Sequence, residues 1–216
     1  MSGARQHDPL AAFLRPLPLV AVLRGVTPPE VPALAETLVG AGFRMLEVTL
    51  NSPRPFDSIA ALVRACPAGC LVGAGTVVDP ADVERVSDAG GGLIVMPHSD
   101  AAVIRQAKRL GLACVPGVAT PTEAFAALAA GADALKMFPA EALPPAALKA
   151  WRAVLPPGTR VFAVGGMRPD NLLPYWQAGA DGFGTGSNLY RSGATIESVR
   201  EAAHAYARAF AALPPR

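Results

Sequence analysis

The sequence predicts an α/β fold in a single domain, an eight-stranded (β/α)8 barrel of the TIM-barrel type, and three observations carry that prediction. First, a glycine-bearing turn followed by a short apolar run recurs: "GAGFRMLEV", "PAGCLVGAG", "DAGGGLIVMP", "RLGLACVPG", "AAGADALKMFP", "PPGTRVFAVGG" and "QAGADGFGTG", with "PLVAVLRG" ahead of them. Second, the runs start near residues 19, 43, 70, 92, 112, 133, 160 and 181, at intervals of 20 to 27 residues. Such an interval holds one strand, a helix of about ten residues and two short loops, which is a βα unit. Third, the runs are continuously apolar rather than alternating, as strands of a parallel sheet covered on both faces must be. Eight such units with right-handed crossovers close into a barrel. A doubly wound open sheet is the alternative, commonly with about five to seven strands.

The segments between the runs read as helices. "PPEVPALAETLVGAG" places Val31, Leu34, Ala35 and Leu38 at helical spacing and ends on glycine, the residue expected at a C-cap. "DPADVERVSDAGG" opens with Asp79 as N-cap and Pro80 at the first helical position, and "TPTEAFAALAAG" repeats that grammar with Thr120, Pro121 and Gly131. Residues 1–17 are expected to form a short helix across the bottom of the barrel, residues 18–212 the barrel itself, and the closing "LPPR" a frayed tail. Cys114 and Met96, inside runs, read as core; Trp151 and Trp176, on helical segments, read as packing.

Composition narrows the function classes. With 216 residues, 51% hydrophobic and 17% charged, the chain can bury a sizeable core. A net charge of +2, with no run of basic residues, argues against a nucleic-acid or anionic-membrane partner. Cys66, Cys70 and Cys114 are odd in number and have no histidine at zinc-ligand spacing, so neither a disulfide framework nor a structural metal is expected. Arg15 and two prolines interrupt the place where a signal peptide would need its apolar stretch. A cytoplasmic protein is expected.

In a barrel of this kind the active site stands at the C-terminal ends of the strands. The polar residues there are Arg24, Glu47, Thr49, Thr76, His98 and Lys136, followed by Gly165-Gly166 and "GTGSN" at 184–188. Lys136 is flanked by Ala134, Leu135, Met137 and Phe138. It either snorkels to the rim or sits desolvated in the mouth, where burial disfavours its charge at about 1.36 kcal/mol per pKa unit. A neutral amine in a dry pocket adds to carbonyls, and Phe138 reads as a wall that keeps it dry. Glu47, alternating with Leu46 and Val48, faces the barrel interior either as a buried ion-pair partner of Arg24 or Lys136 or as a general acid/base. Paired glycine loops after the seventh and eighth runs, with Ser187 as a further donor, read together as a phosphate site. "GAGTV" at 73–77 can be a turn, or can use Thr76 to hold a carboxylate. His98 reads more readily as a rim residue than as a catalyst.

In their order along the chain, "PLVAVLRGVTPPE", "LEVTLNSP", "VGAGTV", "LIVMP", "ALKMFPAE", "VFAVGGMRPDNL" and "GSNLYRSG" resemble the 2-keto-3-deoxy-6-phosphogluconate/galactonate aldolase family, from about residue 17 to the C-terminal helix. That resemblance implies a class I aldolase acting on a phosphorylated 2-keto-3-deoxy sugar acid, with no cofactor and no metal. Lys136 would form the Schiff base and Glu47 would move protons. Arg24, Thr76, Pro97, Phe138, Val164, Gly165, Gly166, Gly186 and Ser187 would bind substrate. Val164-Gly165-Gly166 and the "LNSP" segment, with Asn51 where the gluconate branch tends to carry an arginine, are similar to the galactonate branch. His98 and "FPAE" depart from the "PN" and "FPSS" of relatives. The family implies a homo-oligomer, commonly a trimer. Alternatives from other classes are a phosphosugar isomerase or epimerase on the same barrel and a catalytically silent phosphate-binding protein.

Overall fold

A computed structural model describes residues 9–15 and 17–215. The strands are β1 (Leu19–Leu23), β2 (Met45–Thr49), β3 (Leu71–Gly75), β4 (Leu93–Val95), β5 (Ala113–Val115), β6 (Gly117–Val118), β7 (Leu135–Met137), β8 (Val161–Val164) and β9 (Gly182–Thr185). All pairings are parallel, in the order β5-β4-β3-β2-β1-β9-β8-β7-β6. The two ends of that order are one stretch of chain, the fifth apolar run, split at Pro116. Proline has no N–H to give the ladder, yet its carbonyl still accepts from Lys136 N at 2.8 Å, while Val115 O accepts from Met96 N at 3.2 Å on the other side. The nine short strands therefore close the barrel expected from eight runs.

The crossovers carry α1 (Val31–Gly40), α2 (Pro55–Ala65), α3 (Pro80–Asp88), α4 (Ala101–Arg109), α5 (Pro121–Ala130), α6 (Pro145–Arg152), α7 (Leu172–Ala178) and α8 (Ile196–Ala211). Their starts are those that the caps dictate. Asp79 accepts from Ala81 N at 2.8 Å with Pro80 next to it, and Thr120 and Glu123 exchange bonds in a capping box. Gly131 closes α5 at φ +106°, a left-handed conformation that a side chain would strain.

Strand alternation sorts the apolar residues into two layers. Leu46, Val48, Leu135 and Met137 face outward and pack with the helices, where full burial is worth about 1.5–3 kcal/mol for each large aliphatic side chain. Met45, Leu93, Val95, Val115 and Phe162 face inward and form a second cluster that includes Leu10, 1% exposed, as its floor. Leu10 precedes a single 3-10 turn at Ala11–Phe13. The expected helix over residues 1–17 falls partly on residues 1–8 and 16, which lie outside the described residues.

Two expectations need correction. "GAGTV" is not a turn at its start, because Gly73 and Gly75 lie within β3. A Cβ on Gly73 would stand 1.9 Å from Leu93 O, so the close approach of β4 requires glycine there. The tail is not frayed as a whole either: Trp176 Nε1 donates to Pro214 O at 2.9 Å, and its ring meets Phe210 edge-on at 5.3 Å. Met96 and Cys114 are buried in the core and Trp151 is packed, as read from the sequence.

Candidate active site

The inward positions of β2 and β7 are Glu47 and Lys136. Both are buried, at 1% and 7% exposure, and both line a void of about 20 Å³ inside the barrel with Val22, Phe162 and Val164. Among the described residues they make no ion pair within 4.0 Å. Burial pushes the Lys136 amine below the usual lysine range; the Glu47 carboxylate opposes that shift and the Arg24 guanidinium reinforces it. Burial likewise pushes the Glu47 carboxyl up, against the opposing pull of Lys136 and Arg24. Desolvation is the largest cause in both, so each group is driven toward its uncharged form. Glu47 Oε2 is buried with no hydrogen-bond partner, a cost that structures seldom carry without a use. Phe138 forms the wall beside Lys136, its ring centroid 4.6 Å from Nζ.

Gly75 makes room for the carboxyl. A Cβ at that position would lie 2.3 Å from Glu47 Oε1 and 2.8 Å from Cδ. The next residue, Thr76, has φ +59°, a left-handed conformation that is unusual and strained for a β-branched residue.

Above the void opens a cleft of about 590 Å³. Of the residues nominated from the sequence, it gathers Arg24, Lys136, Phe138, Val164, Gly165, Gly166, Gly186 and Ser187. Glu47 lies below it, and Thr76, Pro97 and the exposed His98 are not among its walls. Pro97 packs its backbone where a Cβ on Gly117 would come within 2.6 Å. Arg24 is aimed by its neighbours: Nη1 donates to Asn51 Oδ1 at 3.1 Å, and Gly25 N donates to Ser52 Oγ at 2.8 Å.

The glycine loops present bare backbone donors. Gly165 and Gly166 have φ +103° and +66°, and nothing lies within 4 Å of a Cβ placed on Gly186. The N–H groups of Gly165, Gly166, Gly186, Ser187 and Asn188 have no acceptor among the described residues. Donors without acceptors on an open concavity suit an anion with several oxygens. Asn188 Nδ2 donates to Met167 O at 3.1 Å, fixing the second loop against the first, and Arg191 Nε donates to Ser187 O at 2.8 Å within the second loop.

Sequence reasoning did not nominate Glu141, Tyr190 or Arg191, which also line this cleft, as does Asn188 of the "GTGSN" segment. Tyr190 and Arg191 stand in "GSNLYRSG", so nearness to Ser187 was the available signal; Glu141 had only its position after the lysine run.

The family model for KDPG and KHG aldolase matches residues 10–202. The chain belongs to the KDPG and KHG aldolase family. It is 48% identical to the probable 2-dehydro-3-deoxy-6-phosphogalactonate aldolase of Rhizobium meliloti (strain 1021), over 91% of this chain and 92% of that protein. It is 47% identical to the 2-dehydro-3-deoxy-6-phosphogalactonate aldolase of Escherichia coli (strain K12), over 90% and 95%. A solved structure described as native KDPGal matches with a TM-score of 0.89 at 46% identity, covering 91% of this chain and 95% of that one. Membership of an aldolase family favours carbon–carbon lyase chemistry over the isomerase and silent-binder alternatives. Among the described residues no group of three His, Cys, Asp or Glu side chains is placed to hold a metal, and no helix is long and apolar enough to cross a membrane.

Proposed function

We propose that this aldolase cleaves 2-dehydro-3-deoxy-6-phosphogalactonate to pyruvate and glyceraldehyde 3-phosphate through a Schiff base on Lys136. The observation that carries the reading is a buried amine and a buried carboxyl, both driven toward neutrality, beneath a cleft rimmed by unused backbone donors.

The chemistry follows from those protonation states. The neutral Lys136 amine adds to the C2 ketone, and its proton passes to the oxygen to give a carbinolamine. Protonated Glu47 gives its proton to the departing hydroxyl, water leaves, and an iminium cation faces the new carboxylate. That carboxylate, directly or through a water, takes the C4 hydroxyl proton as the C3–C4 bond breaks, and the bonding electrons flow into the iminium. Glyceraldehyde 3-phosphate is released and an enamine remains. Glu47 then protonates C3, and water added to the restored iminium frees pyruvate and returns both groups to their starting states. Thr76 and nearby backbone hold the carboxylate, Phe138 shapes the wall, and Arg24 contacts the substrate. Gly165, Gly166, Gly186 and Ser187 hold the phosphate, while Val164 favours the galactonate epimer at C4.

Borohydride added with pyruvate is expected to fix a reduced adduct on Lys136, located by peptide mass spectrometry. An active Lys136→Ala protein, or no adduct, would sink the mechanism. Steady-state comparison of the two C4 epimers is expected to give the higher kcat/KM with the galactonate substrate; a clear gluconate preference would overturn the reading of Val164. The proposal includes a homotrimer in the cytoplasm. Light scattering of the native protein tests the trimer.

A further inference from the structure

A phosphate seated on the donors of Gly166 and Ser187 has a carboxylate for a neighbour. Glu141 lies in the 3-10 turn Ala140–Ala142 that follows β7, and it lines the same cleft as Gly165, Gly166, Ser187 and Arg191. Its Oε2 lies 2.5 Å, and its Cβ 3.0 Å, from where a Cβ on Gly166 would stand, so the side chain occupies the space that this glycine leaves. Glu141 has no hydrogen-bond donor and no cation within 4.0 Å among the described residues. Other carboxylates bordering these loops are committed. Asp170 meets Arg168 at 3.0 Å, and Glu30 accepts from Thr27 and Tyr190.

We propose that Glu141 selects the charge state of the phosphoryl group, so that the cleft binds the monoanionic ester, whose P–OH donates to the carboxylate, and disfavours the dianion. The inference rests on the reading of the glycine loops as a phosphate site. A phosphate ester loses its second proton near pH 6. A carboxylate against the dianion is a like-charge pair, whereas against the monoanion it is a hydrogen-bond acceptor. KM for the phosphorylated substrate therefore rises as pH passes above this value.

Other charged or titratable groups facing the cleft are Arg24 beyond β1, Lys136 on β7, and Tyr190 and Arg191 beyond β9; the Tyr175 phenol of α7, outside the cleft walls, feels Glu141 but donates to Ala140 O. Burial and Glu30 push the Tyr190 phenol up to about 12, so it stays neutral throughout. Lys136 contributes equally to the natural protein and to a Glu141 variant, so the comparison between them isolates Glu141.

The test is Glu141→Gln, an exposed amide of the same size that can donate to a dianion, with Glu141→Ala as a second variant that removes the charge and adds no donor. Isothermal titration with inorganic phosphate at pH 5.5 and 8.5, and KM and kcat at the same pH values, are measured for all three proteins. At pH 8.5, Glu141→Gln is expected to bind phosphate at least about 10-fold more tightly than the natural protein, with a smaller gain for Glu141→Ala. At pH 5.5 the difference shrinks to within about twofold, and the change falls on KM rather than kcat. Equal ratios at the two pH values, or an effect confined to kcat, would overturn the proposal. Phosphate that binds none of the three proteins and fails to compete with substrate would instead overturn the phosphate reading of the cleft, and this inference with it.

Discussion

At the residue scale the chain keeps two expensive groups. Burial holds Lys136 below and Glu47 above their usual ranges, and each shift ties stability to pH with its own sign. The stability associated with Lys136 is full above about 10.4, where the unfolded amine is also neutral, and is lost as pH falls through its lower folded value. That associated with Glu47 is full below about 4.3 and is lost as pH rises through its higher folded value. Replacing the amine with an apolar chain of similar length removes the first cost. Lys136→Met is expected to abolish cleavage and to stabilise the fold by about 1 kcal/mol or more, roughly 2–4 °C in Tm per kcal/mol for a chain of this size. Calorimetry beside an activity assay checks it, and a lower Tm would show that the amine supports the fold.

At the element scale β3 is where the sequence was hardest to interpret. Glycine pairs suggest turns, yet Gly73 and Gly75 are strand residues because β4 comes against one and the Glu47 carboxyl against the other. Gly75→Ala is therefore expected to push Glu47 aside. A displacement of about 1 Å costs on the order of 100-fold in rate, and the borohydride adduct should still form but more slowly, since Lys136 is untouched while Glu47 supplies the proton that lets water leave the carbinolamine. An unchanged kcat would remove Gly75 from the argument. The barrel units were legible because apolar runs and capped helices repeat with a fixed period, which depends only on neighbours in sequence. Glu47 and Lys136 were legible as charges inside such runs. Thr76's positive φ and Glu141's approach to Gly166 were not, because they depend on how one loop lies against another. Pro116 belongs with these: it splits one run into two strands without opening the barrel.

At the scale of the whole molecule, the cleft, the void beneath it and the Leu10 floor lie in line, with Lys136 bordering both spaces. Among the described residues Leu10 stoppers the base, so the barrel is a well that opens at the cleft, and what enters or leaves passes that way. In the proposed reaction the keto-acid half remains bonded to Lys136 after cleavage, while the aldehyde half is free. Traffic is then sequential: the aldehyde departs first and pyruvate last, and in the synthetic direction pyruvate must enter before its partner. Product inhibition reads that order directly. Pyruvate is expected to compete with the substrate and glyceraldehyde 3-phosphate to inhibit in a mixed pattern; the reverse assignment would overturn the order of release that the Schiff base imposes.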